Sequence, residues 1–197
     1  MKHLLLLLTF AATSFGAVIY SDDFDTSLPA TVLNANVPGW EALNGTVDYG
    51  KNGAFGLSCR GGAGGCIDLD GTTRSAADFT SLATFNLLAG NTYTLTYWFS
   101  GSQRTGPDSM MVSFGGQTNT HADIPASAPF SQFSLLVAPL VDTTSNIVFS
   151  HAGGDDFGLI LDDVSLDESP AGVVPEPSSL LLLSGGLGIL WARRKRK

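Results

Sequence analysis

Two short acidic runs, Ser21-Asp22-Asp23-Phe24-Asp25 and Leu161-Asp162-Asp163, group carboxylates near the two ends of the acidic part of this 197-residue sequence. Their carboxylates are hard oxygen donors of the kind that hold Ca²⁺, and adjacent carboxylates repel unless a cation or solvent intervenes. The runs lie far apart in the chain, so they act together only if the fold joins them. Cys59 and Cys66 bracket the flexible stretch Arg60-Gly61-Gly62-Ala63-Gly64-Gly65. No His pair stands nearby to complete a tetrahedral metal site, and six intervening residues are not the two of a redox pair. A structural disulfide is expected, stabilising by about 2–3 kcal/mol on the chain-entropy account. Outside the N-terminal stretch the only histidines, His121 and His151, have no zinc spacing, and there is no Gly-x-Ser-x-Gly elbow. An Asp-rich domain always offers two carboxylates at some separation, so the acids alone do not indicate a glycosidase. The expectation is a protein that is not an enzyme. His151, just before Gly153-Gly154-Asp155-Asp156, reads as a loop residue.

The elements that must position these residues are strands. Thr92 to Phe99 alternates, with Tyr93, Leu95, Tyr97 and Phe99 on one face and Thr94, Thr96 and Trp98 on the other. Further candidates are Val18–Phe24, Phe79–Leu87, Met110–Phe114, Phe130–Val137, Asn146–Ser150 and Leu159–Leu166. Turn-forming Gly, Asn, Asp and Pro cluster between them. No stretch of ten or more residues has convincing helical periodicity. Many short strands without alternating helices predict an all-β, antiparallel β-sandwich or barrel. On that reading Trp98 faces away from the core, as a surface aromatic or beneath a neighbouring strand or loop.

Charge divides the chain further. The overall balance is −8, and only 14% of residues are charged, against about 25% in an average chain. Between Ala17 and Val174 only Lys51, Arg60, Arg74 and Arg104 are basic, against 17 acids, a net of −13. That excludes a nucleic-acid binder, which needs Lys and Arg for phosphate contacts. An apolar content of 44% excludes a low-hydrophobicity disordered chain. Residues 1–16 read as a signal peptide: Lys2 gives the positive end, Leu4 to Ala12 the apolar stretch, and Ser14 and Gly16 the small residues before cleavage at Ala17. This implies a secretion translocase, a signal peptidase and a compartment that permits disulfides. Residues 17–168 form the sandwich, and 169–177 a linker stiffened by Pro175 and Pro177. Residues 178–192 form a single transmembrane helix, and Arg193, Arg194, Lys195, Arg196 and Lys197 a basic cytoplasmic tail. Thirteen to fifteen apolar residues extend only about 20–22 Å, short of the ~30 Å hydrocarbon core, which suits a temporary anchor.

Pro175-Glu176-Pro177, the apolar helix and the terminal basic cluster together resemble the PEP-CTERM sorting signal over residues 174–197. The resemblance implies a Gram-negative bacterium that makes extracellular polysaccharide. It also implies cleavage by an exosortase near Pro175-Glu176-Pro177 and delivery from an inner-membrane precursor to the cell surface or extracellular matrix. Separately, Phe85 to Tyr97, Leu161 to Leu166 and Ser21 to Asp25 resemble the strands of jelly-roll, galactose-binding-like carbohydrate-binding modules. That resemblance implies a jelly roll over residues 17–168, joining the two acidic runs where the first and last strands meet. Such modules often hold a structural calcium there, for which Asp25 and Asp163 are the first candidates and Asp23 and Asp162 the next; solvated surface acids are the alternative. Modules of this kind stack sugars on an exposed aromatic, which makes Trp98 a candidate ligand contact. The leading functional expectation is a non-enzymatic surface or matrix protein. A carbohydrate-binding module for exopolysaccharide is the alternative, and a polysaccharide-active enzyme comes third.

Overall fold

The computed structural model describes residues 16–26 and 28–171. Nearly all of the expected signal peptide, the Pro175-Glu176-Pro177 motif, the helix at 178–192 and the basic tail lie outside the described residues. Those described form two antiparallel sheets face to face, an all-β sandwich. In the larger sheet β8 (Thr92–Ser100) lies between the edge strand β11 (Ser131–Val137) and β14 (Ile160–Ser169). Beyond β14 follow β5 (Gly65–Asp68), β4 (Asp48–Lys51) and β2 (Thr31–Val32). β5 pairs only with Ile160 and Leu161 of β14, and β1 (Ala17–Asp22) pairs with β14 from Val164 to Glu168. The smaller sheet runs β10 (Gln117–Ile124), β9 (Asp108–Phe114), β13 (Val148–His151), β6 (Asp78–Ser81), β3 (Trp40–Leu43). A separate ribbon joins β12 (Thr143–Ser145) to β7 (Phe85–Leu87).

The alternation of β8 places Tyr93, Leu95, Tyr97 and Phe99 in the core and leaves Thr94, Thr96 and Trp98 partly exposed. From the facing sheet come Trp40, stacked on Phe79 at 4.7 Å, and Phe149, edge-on to Tyr97 at 5.5 Å. Burying each such ring contributes roughly 1.5–3 kcal/mol, with specific geometry adding to it.

Several expectations are corrected. Phe79–Leu87 is not one strand but β6 and β7, in different sheets. The chain turns at Leu82 to Thr84, where Ser81 Oγ and Asn146 Nδ2 both donate to the Ala83 carbonyl. Strands β2, β3, β4, β5, β10 and β12 lie outside the expected strands, being short, glycine-containing or rich in Thr, Asn and Asp. His151 is the last residue of β13 and is buried, not a loop residue. At the start of β14 a β-bulge sets Asp162 opposite Trp98 and Val164 opposite Tyr97. Asp163 is left as the extra residue, with φ of 46°.

Candidate functional site

Trp98 lies on the floor of a cleft of about 480 Å³ on the outer face of the larger sheet, beside Thr96, Gln132 and Ser165 and under Arg60. Strand register explains the setting. Gln132 of β11 pairs with Trp98 on one side, and Asp162 of β14 pairs with it on the other. The bulge turns Asp163 towards Arg60, whose Nη1 donates to Asp163 Oδ2, while the guanidinium carbon sits 4.1 Å from the Trp98 ring centre. Both charged side chains stay accessible, at 41% and 32%. An ion pair that open is worth at most about 1 kcal/mol and a cation–π contact there about 0.5–1 kcal/mol. The guanidinium is therefore a displaceable cover over the indole.

The base of Arg60 is held more firmly than its tip. The Cys59–Cys66 disulfide forms as expected, buried with Leu57 and Ile160. Cys59 N–H donates to Asn52 Oδ1 at 3.0 Å, and Arg60 N–H donates to Asp162 Oδ2 at 2.9 Å. Asp162 Oδ1 accepts the Asp163 N–H at 2.8 Å. Burial pushes the Asp162 carboxyl up to about 7, reinforced by the charges of Asp163 and Asp25 and opposed by the two N–H donors.

The four expected calcium ligands are near one another but do not share one hollow. Asp23 and Asp163 line the Trp98 cleft, whereas Asp25 opens onto an adjacent hollow with Lys51, Asn52 and Gly64. Asp25 Oδ1 accepts the Gly65 N–H at 2.7 Å, and Asp23 Oδ1 accepts the Asp25 N–H at 3.1 Å. Gly64, at φ of +73°, lies so close to the Asp25 carboxylate that a Cβ there would overlap it. Asp162 has both oxygens engaged by backbone N–H groups and Asp163 is matched by Arg60, while Asp25 and Asp23 each use one oxygen in these contacts. Asp22, not among the expected ligands, ties β1 to the core by accepting from Trp40 Nε1 at 2.8 Å and from Phe24 N–H at 2.9 Å.

A second acidic group, missed from the sequence, lies at the loop end beyond β5 and β13. Asp68 accepts from Arg104, from Gly158 N–H at 2.7 Å and from Asp70 N–H at 3.2 Å; burial pushes its carboxyl up to about 7 against those contacts. Both ring nitrogens of His151 face backbone donors, Nδ1 the Gly153 N–H at 3.0 Å and Nε2 the Leu159 N–H at 3.3 Å, and Nε2 also lies 4.0 Å from Asp108 Oδ1. Burial pulls His151 down to about 4, so the ring is neutral. His121 sits among Tyr97, Phe99 and Phe133 with Nε2 2.8 Å from the Tyr97 hydroxyl, and burial lowers it also.

The basic end of the chain is decided by its sequence. Residues 173–197 match the PEP-CTERM protein-sorting motif. The sorting motif covers only that end, and no curated protein matches the chain. The sandwich is similar in fold to solved structures of low identity. The N-terminal CBM22-1–CBM22-2 tandem domain of Paenibacillus barcinonensis Xyn10C is 13% identical with a TM-score of 0.51, over 85% of this chain and 49% of that one. The CBM22-1–GH10 modules of Clostridium thermocellum xylanase 10B, complexed with xylohexaose, are 16% identical with a TM-score of 0.49, over 82% of this chain and 30% of that one. The K1 cleaved adhesin domain of Lys-gingipain from Porphyromonas gingivalis W83 is 13% identical with a TM-score of 0.49, over 75% and 96%. The chain thus spans less than half the length of the two xylanase chains it matches.

Proposed function

We propose that this is an exported, non-enzymatic surface or matrix protein, processed by an exosortase at its C-terminal sorting motif, whose sandwich binds extracellular polysaccharide through the Trp98 cleft. The sorting half of the reading is supported by the motif at 173–197. The binding half rests on one observation: an indole on the outer face of β8, at the floor of an open cleft, covered only by a displaceable guanidinium. A sugar ring replacing Arg60 would meet the indole face, with Gln132 and Thr96 offering hydrogen bonds at its rim. A larger hollow of about 680 Å³ on the opposite sheet, lined by Asp78, Ser113, Gln117 and Thr118, has no exposed aromatic platform. The Trp98 cleft is therefore the favoured surface.

Its charge narrows the ligand. Asp22, Asp23 and Asp163 stand against Arg60 alone, so the cleft favours neutral glycans and repels uronate polymers. Binding rather than hydrolysis is favoured because Asp163 is engaged by Arg60 and Asp22 by Trp40, leaving neither placed as a free acid. For calcium at the β1–β14 junction, Asp25→Asn is the test: a calcium-dependent melting shift that this variant removes would establish the ion there. Mass spectrometry of protein recovered from the cell surface tests sorting. The expected mature chain lacks Leu180–Lys197, and an intact tail on surface protein would refute processing.

A further inference from the structure

At the loop end, the charges of Asp155 and Asp156 bear on Asp70 and those of Asp155 and Asp70 on Asp108, and both Asp70 and Asp108 have an oxygen that nothing in the described residues satisfies. Asp70 is 0% exposed; its Oδ2 accepts the Asp155 N–H at 3.3 Å, and its Oδ1 is buried with no donor. The charges acting on it, those of Asp155, Asp156 and Asp48, are all negative. Asp108 Oδ2 is likewise buried without a donor. The Ser102 hydroxyl donates to the Thr105 carbonyl; on Asp108 burial and the charges of Asp155 and Asp70 act against a hydrogen bond from Ser102 and the charge of Arg104. Neighbouring cations are already engaged. Arg104 is bound to Asp68 and stacked over Phe157 at 4.5 Å, and Arg74 is an exposed partner of Asp156 at 3.9 Å. His151, facing Asp108, is neutral.

A buried carboxylate oxygen with no donor is strongly unfavourable, and more so among like charges. We propose that Asp70 and Asp108 are anionic ligands of a divalent cation, Ca²⁺ by the all-oxygen donor set, with Asp155 beside them and the glycine-rich loop from Ala152 to Gly158 closing over the ion. Ca²⁺ takes six to eight oxygens in flexible geometry, so carbonyls and water complete the shell; Mg²⁺ demands stricter octahedral order than a glycine loop supplies. This site is separate from the β1–β14 junction.

The test uses the full chain stripped with EDTA, then titrated with CaCl₂ and followed by thermal melting and by Tb³⁺ luminescence as a direct probe of occupancy. At a free ion concentration 100 times Kd, binding raises Tm by about 5–10 °C. Asp70→Asn and Asp108→Asn each remove that rise and the Tb³⁺ signal, while Asp25→Asn retains both. Because Asp70→Asn relieves like-charge repulsion, the stripped variant melts no lower than stripped wild type, which shows that it folds. A wild type that does not respond to calcium overturns the proposal, pointing to a proton held between the acids. A response that survives both loop-end variants, or is lost only with Asp25→Asn, overturns it too.

Discussion

Where β1 meets β14, Asp22, Asp25 and Asp162 accept backbone or indole N–H groups and Asp163 is met by Arg60. At the loop end, Asp68 is matched on both oxygens, whereas Asp70 Oδ1 and Asp108 Oδ2 have no donor among the described residues. The junction has the denser acidic sequence, yet its charges are satisfied and its one exposed pair can be exchanged for a ligand. The loop end draws its acids from the end of β5, the start of β9 and the loops beside them, none conspicuous alone, and buries Asp68 and Asp70. Local density of carboxylates and burial without a donor therefore point to different places in the fold. The two regions divide the labour proposed here, reversible binding at the first and permanent ion holding at the second.

The largest expected effect that would break this division comes from the disulfide. Cys59→Ser with Cys66→Ser costs about 2–3 kcal/mol in denaturant unfolding and leaves neutral-glycan binding within a few-fold, because the Arg60 turn it anchors covers the indole and must yield to the ligand. The calcium response of the loop end should survive; its loss would show that the two regions are one unit. Next, Trp98→Ala lowers retention by neutral polysaccharide at least tenfold, about 1.4 kcal/mol, with Tm changed by only a few degrees.

A third test is pH. Asp68 and Asp162 are pushed up to about 7 and Asp108 to about 6 by burial. The folded protein therefore holds protons between pH 4 and 7 that the unfolded chain has released, and stability falls as pH rises through that window. His151, pulled down to about 4, acts oppositely below pH 6.5 but is a single group. Stripped protein should melt higher at pH 5.5 than at pH 8. Saturating Ca²⁺ should narrow the difference, and Asp162→Asn should leave that narrowing intact. The smallest effect is Arg60→Gln, which lowers stability by under about 1 kcal/mol and leaves neutral-glycan binding within a few-fold, since Arg60 must move aside.

Much of this arrangement was legible in the sequence. The alternation of Thr92 to Phe99 placed Trp98 outside the core, and the paired cysteines implied their bridge. The sorting motif was readable because Pro-Glu-Pro, apolar stretch and basic cluster occur in fixed order. What the sequence concealed depends on contacts between distant segments. The bulge that makes Asp163 an extra residue leaves no mark in Leu161 to Leu166. Arg60 reaches Trp98 only because the disulfide turn docks on Asp162. Asp70 and Asp108 look like ordinary turn acids until the Asp155 loop is folded across them. Strands β4 and β5 escaped notice because buried glycine-containing segments show no alternation.

The central claim is that the Trp98 face binds neutral polysaccharide, and affinity electrophoresis tests it directly. Full chain and Trp98→Ala protein run through gels containing xylan, a neutral β-glucan or polygalacturonate. The account predicts retardation of the wild type by at least one neutral polymer, none by polygalacturonate, and none of the variant in any gel. Equal mobility of wild type in every gel, or equal retardation of the variant, would contradict it.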